Sequence, residues 1–391
     1  MKKLKILDIS DICTGCGACV NVCPKHSLRL EPDKEGFYMP SYLEGCVECG
    51  MCEKVCHVIN ADNKRDISDR DVFVYKSSDD TVREKSSSGG AFSLFADHVI
   101  KKGGVVFATL YNHETKRVEV SNTDVFPVQS FRKSKYVESF IGDTCSKIRK
   151  ELNNGRTVLF CGTPCQVGGL KRYLETLKTD TSNLLTIDFI CHGVPSMKCL
   201  NAFLTFDGRD VVNVDFRYKD FSDDNLGWHD MVYCEWLSSG AFEVLKSDKL
   251  RYYYYYWPFL ENIMLRKSCY TCNEINHSSA DITIADFWSI HKEKTIVDDN
   301  KGVSIVKIHT QKALIMWELL KRNGNHRAIA FDIVKSQFSS NKTGQRYKRD
   351  VFFEEVSKRG YINTVRRRYF LVYIKNLLLQ YGSRIKRIII K

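Results

Sequence analysis

Between Cys13 and Cys56, eight cysteines fall into two copies of one spacing: Cys13-x-x-Cys16-x-x-Cys19-x-x-x-Cys23-Pro24 and Cys46-x-x-Cys49-x-x-Cys52-x-x-x-Cys56. Such spacing lets three thiolates of one loop grip three corners of a cubane cluster, while the fourth cysteine of each run reaches the other cluster. It assigns Cys13, Cys16, Cys19 and Cys56 to one 4Fe-4S cluster, and Cys46, Cys49, Cys52 and Cys23 to a second. Gly15, Gly17, Gly45 and Gly50 suit a backbone wrapped closely round the two. Zinc would use two cysteine pairs and leave the third and fourth cysteine of each copy without a role. Disulfides would need an oxidising compartment that nothing else in the chain suggests.

A unit of this kind accounts for only the first part of 391 residues. The expected division is a ferredoxin-type domain over 1–65, a catalytic domain over 70–300, and a C-terminal helical region with a basic tail over 301–391. The polar run Asp62-Asn63-Lys64-Arg65-Asp66 reads as the first linker. The opening residues are too poor in apolar side chains for a signal peptide, and Asp8 interrupts them. No stretch approaches the roughly 20 apolar residues of a membrane span. With sixteen cysteines that look like thiolate ligands, the expected compartment is a reducing cytoplasm.

Residues 341–391 carry 14 Lys and Arg against 3 Asp and Glu, so this end holds nearly all of the net charge of +12. A chain basic at one end docks that end on something acidic and is not a general or specific nucleic-acid binder. The stretches Arg366 to Lys375, Leu377-Leu378-Leu379 and Arg384 to Lys391 interleave apolar and cationic residues. They fit a helix in the membrane interface, a helix packed on the catalytic domain, or a contact with an acidic redox partner.

After the linker, apolar runs alternate with helical patterns. Strands are expected at 71–75, 105–110, 157–160 and 184–190, and helices at 91–102, 143–152 and 166–177. Residues 117–120 are expected to pair with 105–110 across a turn. This rhythm argues for an α/β layered domain with sites at the strand ends. Residues 211–218, 231–237 and 242–245 read as an antiparallel insertion. Five consecutive tyrosines, Tyr252 to Tyr256, are not expected all to face one core. Beyond residue 290 the one clear helix is 311–321.

Eight more cysteines lie outside the repeat. Cys165 and Cys191 close two successive Gly/Pro-rich strand-end loops, so neighbouring parallel strands would bring them to one sheet edge, and Cys269-x-x-Cys272 supplies a further pair. Four such thiolates could hold a third 4Fe-4S cluster or a zinc, or act as redox thiols. Cys145, Cys161, Cys199 and Cys234 read as small buried hydrophobes. The turn Ser86-Ser87-Ser88-Gly89-Gly90 is a candidate phosphate or flavin contact at a helix N-terminus, or a plain cap.

These segments together resemble the family of the coenzyme F420 hydrogenase/dehydrogenase beta subunit, which includes hydroxymethyl chlorophyll reductase. The resemblance covers about residues 10 to 290. It rests on the paired cluster motifs, Ser87-Ser88-Gly89-Gly90-Ala91-Phe92-Ser93, Lys133-Ser134-Lys135-Tyr136-Val137, Gly162-Thr163-Pro164-Cys165-Gln166, Cys191-His192-Gly193-Val194-Pro195-Ser196, and Cys269-Tyr270-Thr271-Cys272 followed by residues 280–288. Ala285 departs from the glycine common at that position.

The resemblance implies an FAD-dependent iron-sulfur oxidoreductase. The implied fold is α+β: a small two-cluster ferredoxin domain joined to a larger α/β flavin-binding catalytic domain. Ser88, Gly89, Gly90, Lys135 and Tyr136 become the flavin-contact candidates. Cys165, Cys191, Cys269 and Cys272 match the family's cysteines nearest the flavin. The implied function passes electrons between a low-potential carrier, ferredoxin or a reduced deazaflavin, and an organic substrate. Coenzyme F420 itself is a candidate that the resemblance does not fix. His192 is the candidate proton donor, against a structural role bonding backbone. The alternative is a non-catalytic electron-transfer subunit that docks on a partner enzyme.

Overall fold

In a computed structural model of the chain, residues 5–60, 71–272, 278–338 and 345–389 are described, with side chains reaching Asn376 and including Leu378. The expected linker at 62–66 lies outside the described residues. The cluster unit starts with α1 (Lys5–Asp8) and α2 (Ala18–Asn21). An antiparallel hairpin follows, β1 (Leu28–Pro32) with β2 (Tyr38–Tyr42), and α3 (Met51–Lys54) closes the unit. The sequence repeat is also a structural one. Gly17 and Gly50 precede α2 and α3 with φ of 71° and 73°, a left-handed turn that a Cβ would strain.

The larger body continues with β3 (Val72–Ser77), α4 (Asp80–Glu84), α5 (Ala91–Lys101), β4 (Val105–Asn112), β5 (Arg117–Asn122), α6 (Thr144–Asn153), β6 (Val158–Cys161), α7 (Pro164–Thr176), β7 (Leu184–Phe189) and α8 (Met197–Thr205). An insertion, β8 (Val211–Tyr218), β9 (Val232–Leu237) and β10 (Phe242–Leu245), forms its own antiparallel sheet. After α9 (Tyr256–Leu260) come β11 (Ile282–Asp286), β12 (Ser304–Ile308), α10 (Gln311–Leu320), β13 (Gly324–Ala328), α11 (Arg346–Arg359) and α12 (Tyr361–Ile389).

The main sheet runs β13-β3-β12-β11-β7-β6-β4-β5. Its centre, β11-β7-β6-β4, is parallel, and the flanking pairs are antiparallel. The parallel strands read as continuous apolar runs because both faces are covered. Val105, Phe107, Val158 and Phe160 pack under α6 and α7. The alternate residues Val106, Ala108 and Leu159 pack under α5 and α10. The α6/α7 layer shares its core with Ala18, Val22, Leu28 and Val55 of the cluster unit, so the cluster unit is packed into the molecule.

Three expectations need correction. Residues after 300 are not a separate helical region, since β12 lies inside the main sheet and β13 forms its edge. Besides the expected helix 311–321 and the helix expected in the basic tail, which is α12, the last 100 residues hold α11, which charge-rich composition concealed. All five tyrosines, Tyr252 to Tyr256, are buried in one core. A 3-10 turn over Leu250–Tyr254 passes into α9, so successive rings leave in different directions. Tyr253 packs beside Trp257 and Tyr373, while Tyr255 meets Phe203 and Phe216.

α12 buries Tyr361, Val365 and Tyr369 against this aromatic core. Its opposite face exposes Phe370 (49%), Leu371 (74%) and Leu378 (68%). No helix among the described residues is long and apolar enough to cross a membrane.

Candidate iron-sulfur centres and cofactor cavity

Cys13, Cys16, Cys19 and Cys56 line one small hollow. Cys23, Cys46, Cys49 and Cys52 line a second, so each hollow takes three cysteines from one run and the fourth from the other. Burial raises Cys13 to about 11 and pushes Cys19 well above the usual thiol range, with neighbouring cysteines adding repulsion. Burial also opposes ionisation of Cys16, but hydrogen bonds from His57 and Thr14 outweigh it and hold the thiol below its ordinary value. Crowded dry thiols of this kind become stable thiolates only around a cation. Among the described residues no three His, Cys, Asp or Glu groups converge on a single-ion site. Tetrahedral zinc would need sulfurs about 3.8 Å apart, from a Zn–S bond of about 2.3 Å. Four cysteines to each hollow, three from one run and one from the other, suit two cubanes.

The two sets differ in depth. Cys49 is exposed, whereas Cys13, Cys19 and Cys56 are buried. Cys16 sits against α7: a Cβ on Gly169 would stand 2.6 Å from its Sγ.

At the carboxyl ends of β6 and β7 the structure brings Cys165 and Cys191 together with Cys269 and Cys272. Cys165 lies well above the usual thiol range, first from burial and then from the charges of Cys272, Cys191 and Cys269. Thr163 caps α7 in a capping box with Gln166, and the Thr163 hydroxyl lies 3.2 Å from the Cys165 sulfur. The Gly-Thr-Pro-Cys-Gln segment is therefore a helix start that presents a thiol.

Beside this set opens a cavity of about 880 Å³ along the same sheet edge, within the ~300–1,000 Å³ range of cofactor pockets. Ser86 to Ser88, Gly90, Lys135, Tyr136, Cys191 and His192 line it. The Ser87 hydroxyl accepts from the Ser134 N–H at 2.7 Å, which joins the serine turn to the Lys135 loop. Desolvation brings Lys135 down to about 7, although its Nζ donates to the carbonyls of Ser130, Arg132 and Lys133. The His192 ring meets the edge of Phe259 at 4.8 Å.

Gly89 departs from expectation. It does not line the cavity: its N–H donates to the Ser304 hydroxyl and its carbonyl accepts from the Ser77 N–H. A Cβ there would lie 2.2 Å from the Tyr75 carbonyl oxygen. Gly89 serves close approach to the sheet, and Gly90, with φ of 91°, makes the turn into α5.

Cys145, Cys199 and Cys234 are core residues as expected, but Cys161 lines the cavity. Sequence reasoning also missed Arg132, Arg217, Asp286, Trp288 and Gln337 in its wall. Arg217 donates to Asp286, which also accepts from the Trp228 indole at 2.8 Å. Trp228 stacks on Trp288. Three buried polar atoms of the wall have no partner among the described residues, Arg132 Nε, Asn262 Oδ1 and Gln345 Oε1. An unsatisfied buried group costs about 1–3 kcal/mol, so each of these atoms calls for a polar partner, a water or a ligand.

A ferredoxin-type dicluster unit packed on a sheet whose strand ends carry more cysteines and a cavity defines an iron-sulfur electron-transfer protein of the oxidoreductase type. Residues 12–60 match the 4Fe-4S dicluster domain, and residues 155–332 match the C terminus of the coenzyme F420 hydrogenase/dehydrogenase beta subunit. The C-terminal model of that beta-subunit family thus matches the central part of the chain, behind an N-terminal 4Fe-4S domain. One subunit of the F(420)H(2) dehydrogenase of Methanosarcina mazei is 23% identical over 222 residues, 53% of this chain and 62% of that protein. The chain thus spans less than two thirds of that relative. An iron-sulfur subunit of the CoB–CoM heterodisulfide reductase of Methanocaldococcus jannaschii is 37% identical over 70 residues, 14% of this chain and 10% of that one. A chain of the F420-reducing nickel-iron hydrogenase complex from Methanosarcina barkeri superposes with a TM-score of 0.45 at 14% identity, covering 74% of this chain and 92% of that chain.

Proposed function

We propose that this protein is an FAD-dependent iron-sulfur oxidoreductase that passes electrons between a low-potential carrier and an organic substrate. The observation that supports it most is the shared wall: Cys191 is at once one of the four gathered cysteines and part of the cavity lining. Bound FAD would exchange electrons in pairs with an organic substrate and singly with a cluster. The unspent Arg132 Nε–H suits a phosphate oxygen, and the Ser86–Ser88 turn and Lys135 supply further polar contacts. Tyr136 and Phe259 form a stacked pair at the wall that shields the site from water. His192 is placed to donate a proton to the substrate.

On this reading Cys165, Cys191, Cys269 and Cys272 hold a third 4Fe-4S cluster. Electrons from a ferredoxin-like carrier or a redox partner enter at the exposed Cys49 side. The buried Cys13 set and α7 then lead to the third site. The functional division is a ferredoxin-type unit to residue 60, a catalytic body over 71–338, and a helical pair over 345–389. Reduced F420 is the first carrier to test, because relatives are named for it.

Anaerobic purification followed by a flavin spectrum of the released cofactor tests the proposal. Stoichiometric FAD that is reduced on adding carrier supports it. Clusters without any flavin favour the second reading, a non-catalytic electron-transfer subunit. The exposed apolar face of α12, set beside Arg367 and Lys375, is proposed to meet an anionic membrane surface.

A further inference from the structure

Arg266 sits at the junction of the Cys13 and Cys269 loops. It is three residues before Cys269, and its carbonyl accepts from the Cys269 N–H at 3.0 Å. Its side chain is 3% exposed and crosses into the cluster unit. There Nη1 donates to the carbonyl of Cys13 at 3.0 Å and Nη2 donates to that of Tyr38 at 2.7 Å. The guanidinium pairs with the buried carboxylate of Glu138, whose other oxygen accepts from the Tyr38 N–H at 3.1 Å. Glu138 follows the Lys135-Tyr136 loop by two residues, and its own N–H donates to the Pro195 carbonyl beside the Cys191 loop at 2.8 Å. The first cluster loop, both outer cysteine loops and the cavity loop therefore meet at one buried ion pair. The loop of Cys13 is shaped to it: Gly15 has φ of +69°, and a Cβ there would lie 2.6 Å from Arg266 Nη2 and 2.9 Å from Glu138 Oε1.

Burying two charges is costly, and an ion pair inside a protein is often no more stable than apolar residues of the same volume. Fold stability is thus a weak reason for this one. Its place suggests another. A cation fixed beside a cluster favours the reduced, more negative state, and an anion opposes it; charge and hydrogen bonds near the ligands are among the chief levers on cluster potential. Arg266 also retains a donor, Nε–H, that is buried with no partner among the described residues. A donor left over beside Cys13 is suited to cluster sulfur.

We infer that the Arg266–Glu138 pair sets the reduction potential of the cluster bound by Cys13, Cys16, Cys19 and Cys56, and locks that cluster against the Cys269 loop. Arg266 acts as a positioning and potential-setting residue. The inference rests on the dicluster unit and not on FAD, so a missing flavin would leave it standing.

The test is an anaerobic redox titration of the full chain followed by electron paramagnetic resonance, which reads each cluster separately. Removing the cation with Arg266→Gln should shift one dicluster potential downward, and removing the anion with Glu138→Gln should shift the same potential upward. Arg266→Lys, which keeps the charge but not the fork, should restore most of the first shift. The cluster of Cys23, Cys46, Cys49 and Cys52 is the internal reference and should not move. Opposite shifts confined, within the dicluster unit, to one cluster support the inference. Shifts in the same direction, no shift, or equal loss of iron in both Gln variants would show a merely structural pair and overturn it.

Discussion

Gly169 offers a direct test of how the cluster unit is seated. It lies inside α7, where Val167, Leu170 and Leu174 are fully buried, and a Cβ would stand 2.6 Å from Cys16 Sγ and 2.8 Å from Cys16 Cβ. Ordinary contact is about 3.5–4.0 Å, so Gly169→Ala requires a displacement of about 1 Å. α7 is held by the core on its inner face, so the Cys16 loop must give way. Overpacking of this size costs about 1–3 kcal/mol, and the better helix propensity of Ala returns about 1 kcal/mol. The metal-free fold should therefore lose at most about 2 kcal/mol and remain folded. Metal binding is less forgiving, because ligand distances tolerate only about 0.2 Å. The variant should lose about four iron atoms, those of one cubane, while the signal of the cluster held by Cys23, Cys46, Cys49 and Cys52 persists. Iron and sulfide analysis with low-temperature spectra reads both. Full iron content with unchanged spectra would refute the placement of Cys16 as a ligand pressed against α7.

Changing Cys269 and Cys272 together to Ser should remove about a third of about twelve irons per chain, and unchanged iron would place the third site elsewhere. Arg132→Met should weaken FAD retention by about tenfold or more, since a hydrogen bond to a charged group contributes about 1.5–3 kcal/mol; equal retention would leave the unspent Nε–H without a role. Lys219, lowered to about 6 by burial and by Arg217, binds fewer protons in the folded state than in the unfolded state between about pH 6 and the ordinary lysine value near 10.4. Stability should rise with pH across that window, by up to about 1.4 kcal/mol per unit. The slope of unfolding midpoint against pH should be shallower in Lys219→Met, and an identical slope would contradict the assignment. For the tail, truncation at Gly360 would strip Tyr361, Val365 and Tyr369 from the core, so Leu371→Glu with Leu378→Glu is the cleaner variant. The native chain should sediment with anionic and not with neutral vesicles, in a salt-sensitive way that the double variant loses; absence of native binding would remove the membrane contact.

Which cysteines gather was legible because their spacing is local. Three cysteines at intervals of three, repeated, define a loop round a cluster whatever surrounds it, and the crossing of Cys23 and Cys56 follows from the repeat. The fold class is also as expected, and parallel strands β4, β6 and β7 announced themselves as buried, largely apolar runs. Features that depend on distant neighbours were hidden. Strand β12 is five residues long and follows an acidic loop, so nothing nearby shows that it enters the sheet between β3 and β11. Tyr252 to Tyr256 looked too many for one core because a single regular element was assumed. Gly89 and Gly90 are adjacent and chemically identical, yet only the backbone path shows that one faces the sheet and the other the cavity. Cys161 resembles a core cysteine until β6 is seen to end at the pocket.

Arg266 and Glu138, separated by 128 positions, carry no sequence signal at all, and the same is true of the contacts that seat the cluster unit. Arg349 of α11, fully buried, reaches Glu35 in the hairpin turn of that unit and also donates to the Leu265 carbonyl at 3.0 Å. Lys198 at the start of α8 donates to the Lys34 carbonyl at 2.8 Å. Two buried arginines, both from the last third of the chain, therefore hold residues 265 and 266 and the cluster unit in one register. Electron transfer between centres depends on fixed separation, and a ferredoxin unit on a free linker would vary it with every fluctuation. Here the buried cluster loop cannot move away from the Cys269 loop without breaking an ion pair and exposing apolar surface shared with α6 and α7. The packing thus keeps the Cys13 loop fixed against the Cys269 loop, as the proposed relay within the chain requires, with partner exchange proposed at the exposed Cys49 side.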